Sequence, residues 1–335
     1  MKAMVLEAIA PIASGPLRYT DVPDPEPGEG EVRLKVRCCG MCRTDLHVIE
    51  GELPQQKLPV IPGHQVVGVV DKTGPGCRLL AVGQRAGVAW LRYTCGACVF
   101  CRRGLENLCE ASRFTGYHAD GGYAEYALVP EAFAYPLPGD FGDVDAAPLL
   151  CAGIIGYRAL KRCEVPDNGT LALYGFGSSA HVVFQIAKHR GYKVFVVSRG
   201  GKHLQLAHDM GADWAGSNPA EMPEKADSAI IFAPVGHLVP PALEALQKGG
   251  SLALAGIYMT DIPAMNYEKH LFYERDVHAV TANTREDGRQ LLAEAAEIPI
   301  RPHVTTYPLD AANQALQDMK ADRINGSGVL VVEGR

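Results

Sequence analysis

Residues 170 to 187 read TLALYGFGSSAHVVFQIA. An apolar run of strand character is followed by Gly175 and Gly177, and the chain then enters a helical run. Strand, glycine turn and helix, in that order, form the dinucleotide-binding fingerprint. Gly175 suits a tight turn, and Gly177 would let the backbone approach a pyrophosphate held at the helix N-terminus beside Ser178. The third glycine of the pattern is Ala180, which is still small. Downstream, KVFVVS, SAIIFA and SLALAG read as strands, and KHLQLAHDMGA and PPALEALQKGG as helices. Strands alternating with helices predict an α/β fold with a doubly wound parallel Rossmann sheet.

The second strand ends at Ser198, where a site for NAD usually carries Asp or Glu against the ribose 2′-hydroxyl. Here the segment is VVSRGGKH. Without a carboxylate nothing repels a 2′-phosphate, and Arg199 could clamp one with Lys202 nearby. The position therefore favours NADP over NAD.

The 335-residue chain has a net charge of −6 and no block of basic residues, which argues against a nucleic-acid partner. It has no apolar run of 18 residues, and Glu7 and Pro11 interrupt the apolar N-terminus. The expectation is a cytoplasmic protein with no membrane partner. In a reducing compartment, clustered cysteines bind metal or act in catalysis more often than they form disulfides. The chain has ten cysteines, none after Cys163. CGACVFCRRGLENLC places Cys95, Cys98, Cys101 and Cys109 in a C-x2-C-x2-C-x7-C pattern, which suits a closed tetrahedral zinc. An iron–sulfur cluster is the rival, but its usual run continues x3-C-P. The segments EVRLKVRCCG, QVVGVVDK, QRAGVAWL and GGYAEYALVP make the first half β-rich.

One segment, GMCRTDLH (40–47), packs a thiol, a guanidinium, a hydroxyl, a carboxylate and an imidazole into eight residues. With IPGHQVVGVV, the four-cysteine stretch, TGYHADGGYAEY, LLCAG, GFGSSA and VTANTREDG, it resembles the zinc-dependent alcohol dehydrogenases of the medium-chain dehydrogenase/reductase family, over essentially the whole chain. The resemblance implies a discontinuous, β-rich GroES-like catalytic domain, 1–152 with 281–335, and a dinucleotide-binding domain, 153–280. It implies two zinc ions per chain. Cys42, His64 and Cys151 resemble the catalytic ligands, a Cys2His set with one open position. Cys95, Cys98, Cys101 and Cys109 resemble the structural ligands. Thr44 matches the hydroxyl that bonds the substrate oxygen, His47 the outer end of the proton relay, and Asp45 the carboxylate that orients His64. Arg43 falls where a basic residue meets the cofactor pyrophosphate. The implied reaction is reversible hydride transfer between a primary or secondary alcohol and NAD(P), in a dimer or tetramer. An aldehyde reductase or polyol dehydrogenase of the same fold, or a non-catalytic redox sensor, are the alternatives.

The chain also departs from the family. Gln65 stands where Glu usually follows the zinc histidine, and an amide is a poorer ligand. Ile49 and Leu53 replace pocket aromatics, which would leave room for substrates larger than ethanol, with Trp90 as one wall, unless they simply pack. Tyr117 and His181 carry no expected catalytic task, and Cys38, Cys39, Cys77 and Cys163 read as buried or free thiols.

Overall fold

In the computed structural model Thr170–Tyr174 is a strand with every residue buried, as expected of a parallel strand covered on both faces. The structure describes residues 1–54, 57–139, 141–298 and 300–332. The chain divides into two units: Met1–Ala152 with Asn283–Glu297 and Arg301–Arg335, and Gly153–Ala282 with Ile298–Ile300.

The second unit is a six-stranded, wholly parallel sheet. Its spatial order is Trp214–Gly216, Lys193–Val197, Thr170–Tyr174, Ala226–Ile231, Leu246–Leu254, Asp276–Ala279. The chain winds outward from Thr170–Tyr174 in one direction, then crosses and winds outward in the other, so the strand order reverses beside that strand. Ala172, Tyr174, Phe195, Ile231, Leu243 and Leu252 pack one of its cores. The helix expected over PPALEALQKGG ends at Glu244, and Leu246–Leu254 is strand. Pro240 and Pro241 fit the first helical turn, but beyond Ala245 pairing with Ala226–Ile231 takes the backbone. The short strands Trp214–Gly216 and Asp276–Ala279 lack the length to be read from alternation.

In the first unit Glu31–Met41 is the central strand. It pairs antiparallel with Gln65–Thr73, Tyr126–Pro130 and Ser327–Val331. The C-terminal strand therefore completes a sheet begun three hundred residues earlier, with Val329 opposite Gly40. Val32, Leu34, Val36, Val66, Val70, Val129 and Leu330 fill the core beneath it. Among the described residues, no helix is long and apolar enough to cross a membrane.

One backbone contact sets up everything near residue 64. The DGGY segment lies against residues 61–63: Gly121 N–H donates to Ile61 O (2.7 Å), Gly122 N–H to Gly63 O (2.9 Å) and Tyr123 N–H to Pro62 O (3.0 Å). A Cβ on Gly121 would lie 2.0 Å from the Gly63 carbonyl oxygen, so only glycine allows the approach. Because the obstacle is backbone, Gly121→Ala is expected to lower the thermal midpoint by at least about 5 °C in a calorimetric scan. An unchanged midpoint would show that the two segments can separate at no cost.

Candidate metal centres and dinucleotide turn

Cys95, Cys98, Cys101 and Cys109 converge in one lobe, which also holds the helix Val99–Arg102, capped by Cys98. Cys95 Sγ lies 3.9 Å from Cys101 Sγ and 3.6 Å from Cys109 Sγ. Four sulfurs on one tetrahedral zinc, each about 2.3 Å from the ion, stand about 3.8 Å apart. A cluster of several irons would hold them further apart, so the spacing suits a single ion. Backbone N–H groups point at the sulfurs, from Cys98 to Cys95 (3.3 Å) and from Cys101 to Cys98 (3.4 Å). Such donors stabilise thiolate. The N–H groups of Ala97 and Cys98, and then Cys109, bring the Cys95 pKa down to about 6. Desolvation, then hydrogen bonding with Cys98 and Cys109, pushes Cys101 up to about 11. Glu106, in the same lobe, accepts from Arg285 Nη2 (2.7 Å) and backbone N (2.7 Å), which ties the lobe to the helix Arg285–Glu297.

Cys42, His64 and Cys151 also come together, in the first unit. Cys42 leaves the strand Glu31–Met41 and is the N-cap of the helix Arg43–Glu50. Asp45, three residues on, accepts from the Cys42 N–H (2.8 Å), one half of a capping box. His64 follows Gly63, whose φ of +94° aims the chain at the strand Gln65–Thr73. Cys151 sits in a π-helical turn, Leu149–Gly153, a conformation common at functional sites. His64 Nε2 is 3.4 Å from each of the two sulfurs, and the sulfurs are 3.9 Å apart. A tetrahedral zinc demands about 3.5 Å for N···S and about 3.8 Å for S···S. Among the described residues no fourth His, Cys, Asp or Glu joins them, so one coordination position stays open to another ligand.

The electrostatics agree. His64 Nδ1 meets Asp45 Oδ1 at 3.1 Å, both side chains almost fully buried. This bond fixes the ring so that Nε2 faces the sulfurs. Burial lowers the imidazole's proton affinity, but Asp45 and Cys42 outweigh it and raise the pKa to about 10. Hydrogen bonding to Cys151 holds Cys42 well below the ordinary thiol range, and the same contact holds Cys151 well above it. The trio is a negative pocket that draws a proton to the place a dication would take.

The residues around this trio are placed as follows. Thr44 is buried at the helix start, and Arg43 is exposed. His47 Nδ1 is hydrogen-bonded to Glu52, beyond the helix C-cap Gly51. Trp90 meets His64 edge-on (4.9 Å) and stacks on Phe114 (4.9 Å) and Tyr117 (5.9 Å). Ile49 is fully buried in the core cluster, so it packs and does not widen a pocket; its neighbours Leu46 and Val48 are buried too. Leu53 is half-buried. Gln65 is buried with its Nε2 unpartnered. His181 is a helix residue whose Nδ1 pairs with Gly177 O (3.1 Å). Cys38, Cys39 and Cys163 are buried free thiols, and Cys77 is half-buried.

The dinucleotide turn lies in the second unit. Gly175 has φ +86°, which the turn requires, and donates to Val197 O (2.8 Å). This sets Gly175, Gly177 and Ser178 beside Ser198 at the C-terminal ends of neighbouring strands. Ser198 is buried, while Arg199 and Lys202 are exposed at the start of the helix Gly201–Asp209.

Comparison with known proteins matches residues 28–139 to the alcohol dehydrogenase GroES-like domain and residues 180–297 to the zinc-binding dehydrogenase domain. A probable alcohol dehydrogenase of Mycobacterium tuberculosis is 50% identical, over 99% of this chain and 97% of that protein. An alcohol dehydrogenase of Geobacillus stearothermophilus is 35% identical, over 99% of this chain and 100% of its own length. The crystal structure of an NAD-dependent alcohol dehydrogenase superposes with a TM-score of 0.90 at 26% identity, over 99% of this chain and 100% of that one.

The four-cysteine lobe yields a direct chemical test. In metal-stripped protein at pH 7, Cys95 is the thiolate and Cys101 the thiol, so iodoacetamide is expected to label Cys95 first, as read by peptide mass spectrometry. Labelling in the opposite order would refute that assignment of charge.

Proposed function

We propose that this chain, which belongs to the zinc-dependent medium-chain alcohol dehydrogenases, interconverts an alcohol with its aldehyde or ketone using zinc at Cys42, His64 and Cys151 and a nicotinamide dinucleotide at the 175–178 turn. The observation that carries the reading is the tetrahedral spacing of two sulfurs and one imidazole nitrogen, with no fourth His, Cys, Asp or Glu beside them among the described residues. When bound, the zinc supplies Lewis acidity to the substrate oxygen and the nicotinamide carries the hydride.

The protein's own residues do the rest. The Thr44 hydroxyl can donate and accept at once, so it holds the substrate oxygen and passes on its proton. His47 takes that proton at the outer end of the relay, with its other ring nitrogen oriented by Glu52. Asp45 keeps the His64 ring aimed at the metal. Trp90, held flat by Phe114 and Tyr117, forms a rigid apolar wall against His64. Gly175, Gly177 and Ser178 are assigned to the cofactor pyrophosphate, and Arg43 keeps the basic cofactor role that the family resemblance implies. Cys95, Cys98, Cys101 and Cys109 hold a second, closed zinc that stabilises their lobe.

For the dinucleotide we favour NADP. No carboxylate stands at Ser198, and the exposed Arg199 and Lys202 follow it. A homo-oligomer, dimer or tetramer, is supported by the second unit's surface. Ile257, Tyr258, Ile262, Tyr267, Phe272 and Tyr273 are exposed there, ahead of the edge strand Asp276–Ala279.

Two measurements test the reading. Cys42→Ala is expected to abolish alcohol turnover with one zinc lost per chain and dinucleotide binding intact, whereas Cys98→Ala is expected mainly to lower thermal stability. Normal turnover in Cys42→Ala would sink the assignment of the open site. Separately, kcat/KM for an aromatic aldehyde is expected to be at least about tenfold higher with NADPH than with NADH, and Arg199→Ala to erase most of that ratio. A preference for NADH would reduce Arg199 to a loop cation.

A further inference from the structure

The helix that follows the dinucleotide turn carries a buried polar side chain with no role in the proposed mechanism. His181 is fully buried in the helix Ser178–His189, as are its apolar neighbours Ala180, Val182, Val183 and Phe184. A polar ring is costly in such a place unless it is hydrogen-bonded, and an apolar side chain would carry no such cost. The ring Nδ1 lies 3.1 Å from the Gly177 carbonyl oxygen. A carbonyl only accepts, so Nδ1 carries the hydrogen and donates it. The same oxygen already accepts from the His181 backbone N–H (3.1 Å), the first bond of the helix. The ring is therefore not needed to satisfy that carbonyl; it adds a second hold on it.

Residue 177 has need of one. Gly175 is fixed by its N–H on Val197 O (2.8 Å), and Phe176 is buried edge-on against Phe184 (5.6 Å). Gly177 has no side chain to hold it, and among the described residues no atom beyond its chain neighbours lies within 4 Å of where a Cβ would be. Glycine also has the widest backbone freedom. The peptide unit joining 177 to 178 is trans and planar, so its C=O and N–H point in opposite directions. With the carbonyl held toward the helix by two donors of His181, the Ser178 N–H is turned outward past the helix N-terminus, the side on which a phosphate would be held. We infer that His181 is a positioning residue for the dinucleotide: its Nδ1–H locks the 177–178 peptide plane in the orientation that presents the turn to a pyrophosphate.

The inference rests on the reading that the 175–178 turn binds a dinucleotide, and its test measures binding, not turnover. The full-length, zinc-loaded enzyme is titrated calorimetrically with ADP-ribose, which carries the pyrophosphate, and with adenosine, which lacks it. His181→Leu is expected to weaken ADP-ribose roughly tenfold and to leave adenosine as in the parent. His181→Asn places an amide N–H as many bonds from the backbone as Nδ1, and is expected to bind ADP-ribose within about twofold of the parent. The amide of His181→Gln sits one bond further out, so this variant should lose as much as His181→Leu. If the leucine variant fails to fold, the Asn and Gln pair decides. Unchanged ADP-ribose affinity in His181→Leu or His181→Gln overturns the inference. So does an equal loss for both ligands, which would mark a general loosening of the unit, or an Asn variant as weak as the Gln one. A parent enzyme that does not bind ADP-ribose at all overturns the dinucleotide reading and this inference with it.

Discussion

The hydrogen bond between Asp45 Oδ1 and His64 Nδ1 organises the surroundings of Cys42 and His64. One carboxylate satisfies two demands at once. Its other oxygen accepts from the Cys42 N–H and so closes the start of the helix Arg43–Glu50. The cap therefore fixes where Cys42 points, and the same carboxylate fixes how the His64 ring turns. Two candidate ligands twenty-two residues apart are set by a single side chain. Burying that carboxylate is costly unless it is fully bonded, so the arrangement is stable only as a whole.

The four-cysteine lobe works by a different balance. Most of it is surface: Tyr93, Val99 and Leu108 are exposed, and of the four ligands only Cys109 is buried. So short a stretch cannot bury enough apolar area to offset its chain entropy. Backbone N–H groups aimed at the sulfurs, together with the Glu106–Arg285 pair, shape the lobe, and the closed metal proposed for it would supply the missing cohesion. Metal in this lobe would replace a hydrophobic core, whereas metal at Cys42, His64 and Cys151 would sit on elements already packed by one.

This difference decides what could be read from the sequence. Local signals were legible. Cys95 to Cys109 announce themselves by spacing, and Thr170 to Ala187 by strand, turn and helix. The trio of Cys42, His64 and Cys151 was not legible from spacing, because tertiary folding joins it; only the resemblance to known enzymes located it. The π-helical turn that presents Cys151 has no sequence signature. The segment after Ala245 looked helical because its propensities are local, while the strand it forms depends on pairing with Ala226–Ile231. Ile49 was open to a pocket reading because apolar residues on a helix look alike whether they face core or cavity. The assignment of the C-terminal strand to the first sheet likewise depended on a partner three hundred residues away.

Glycines separate the demands of the fold from those of a ligand. Gly175 has φ +86°, and Ala233 N would lie 3.3 Å from an added Cβ, so the protein itself requires glycine there. Gly177 has φ −99°, a value any residue adopts, and among the described residues no atom beyond its own chain neighbours lies within 4 Å of where its Cβ would be. Neither backbone strain nor crowding explains the absence of a side chain at Gly177. The space it leaves open lies at the N-terminus of the helix Ser178–His189, where the first N–H groups have no intrahelical acceptor. A phosphate satisfies those groups only if it can approach the backbone closely, and a Cβ at residue 177 would stand in its way. Gly175 thus serves the chain, whereas nothing among the described residues requires glycine at 177, which supports the anion-binding role proposed for the turn.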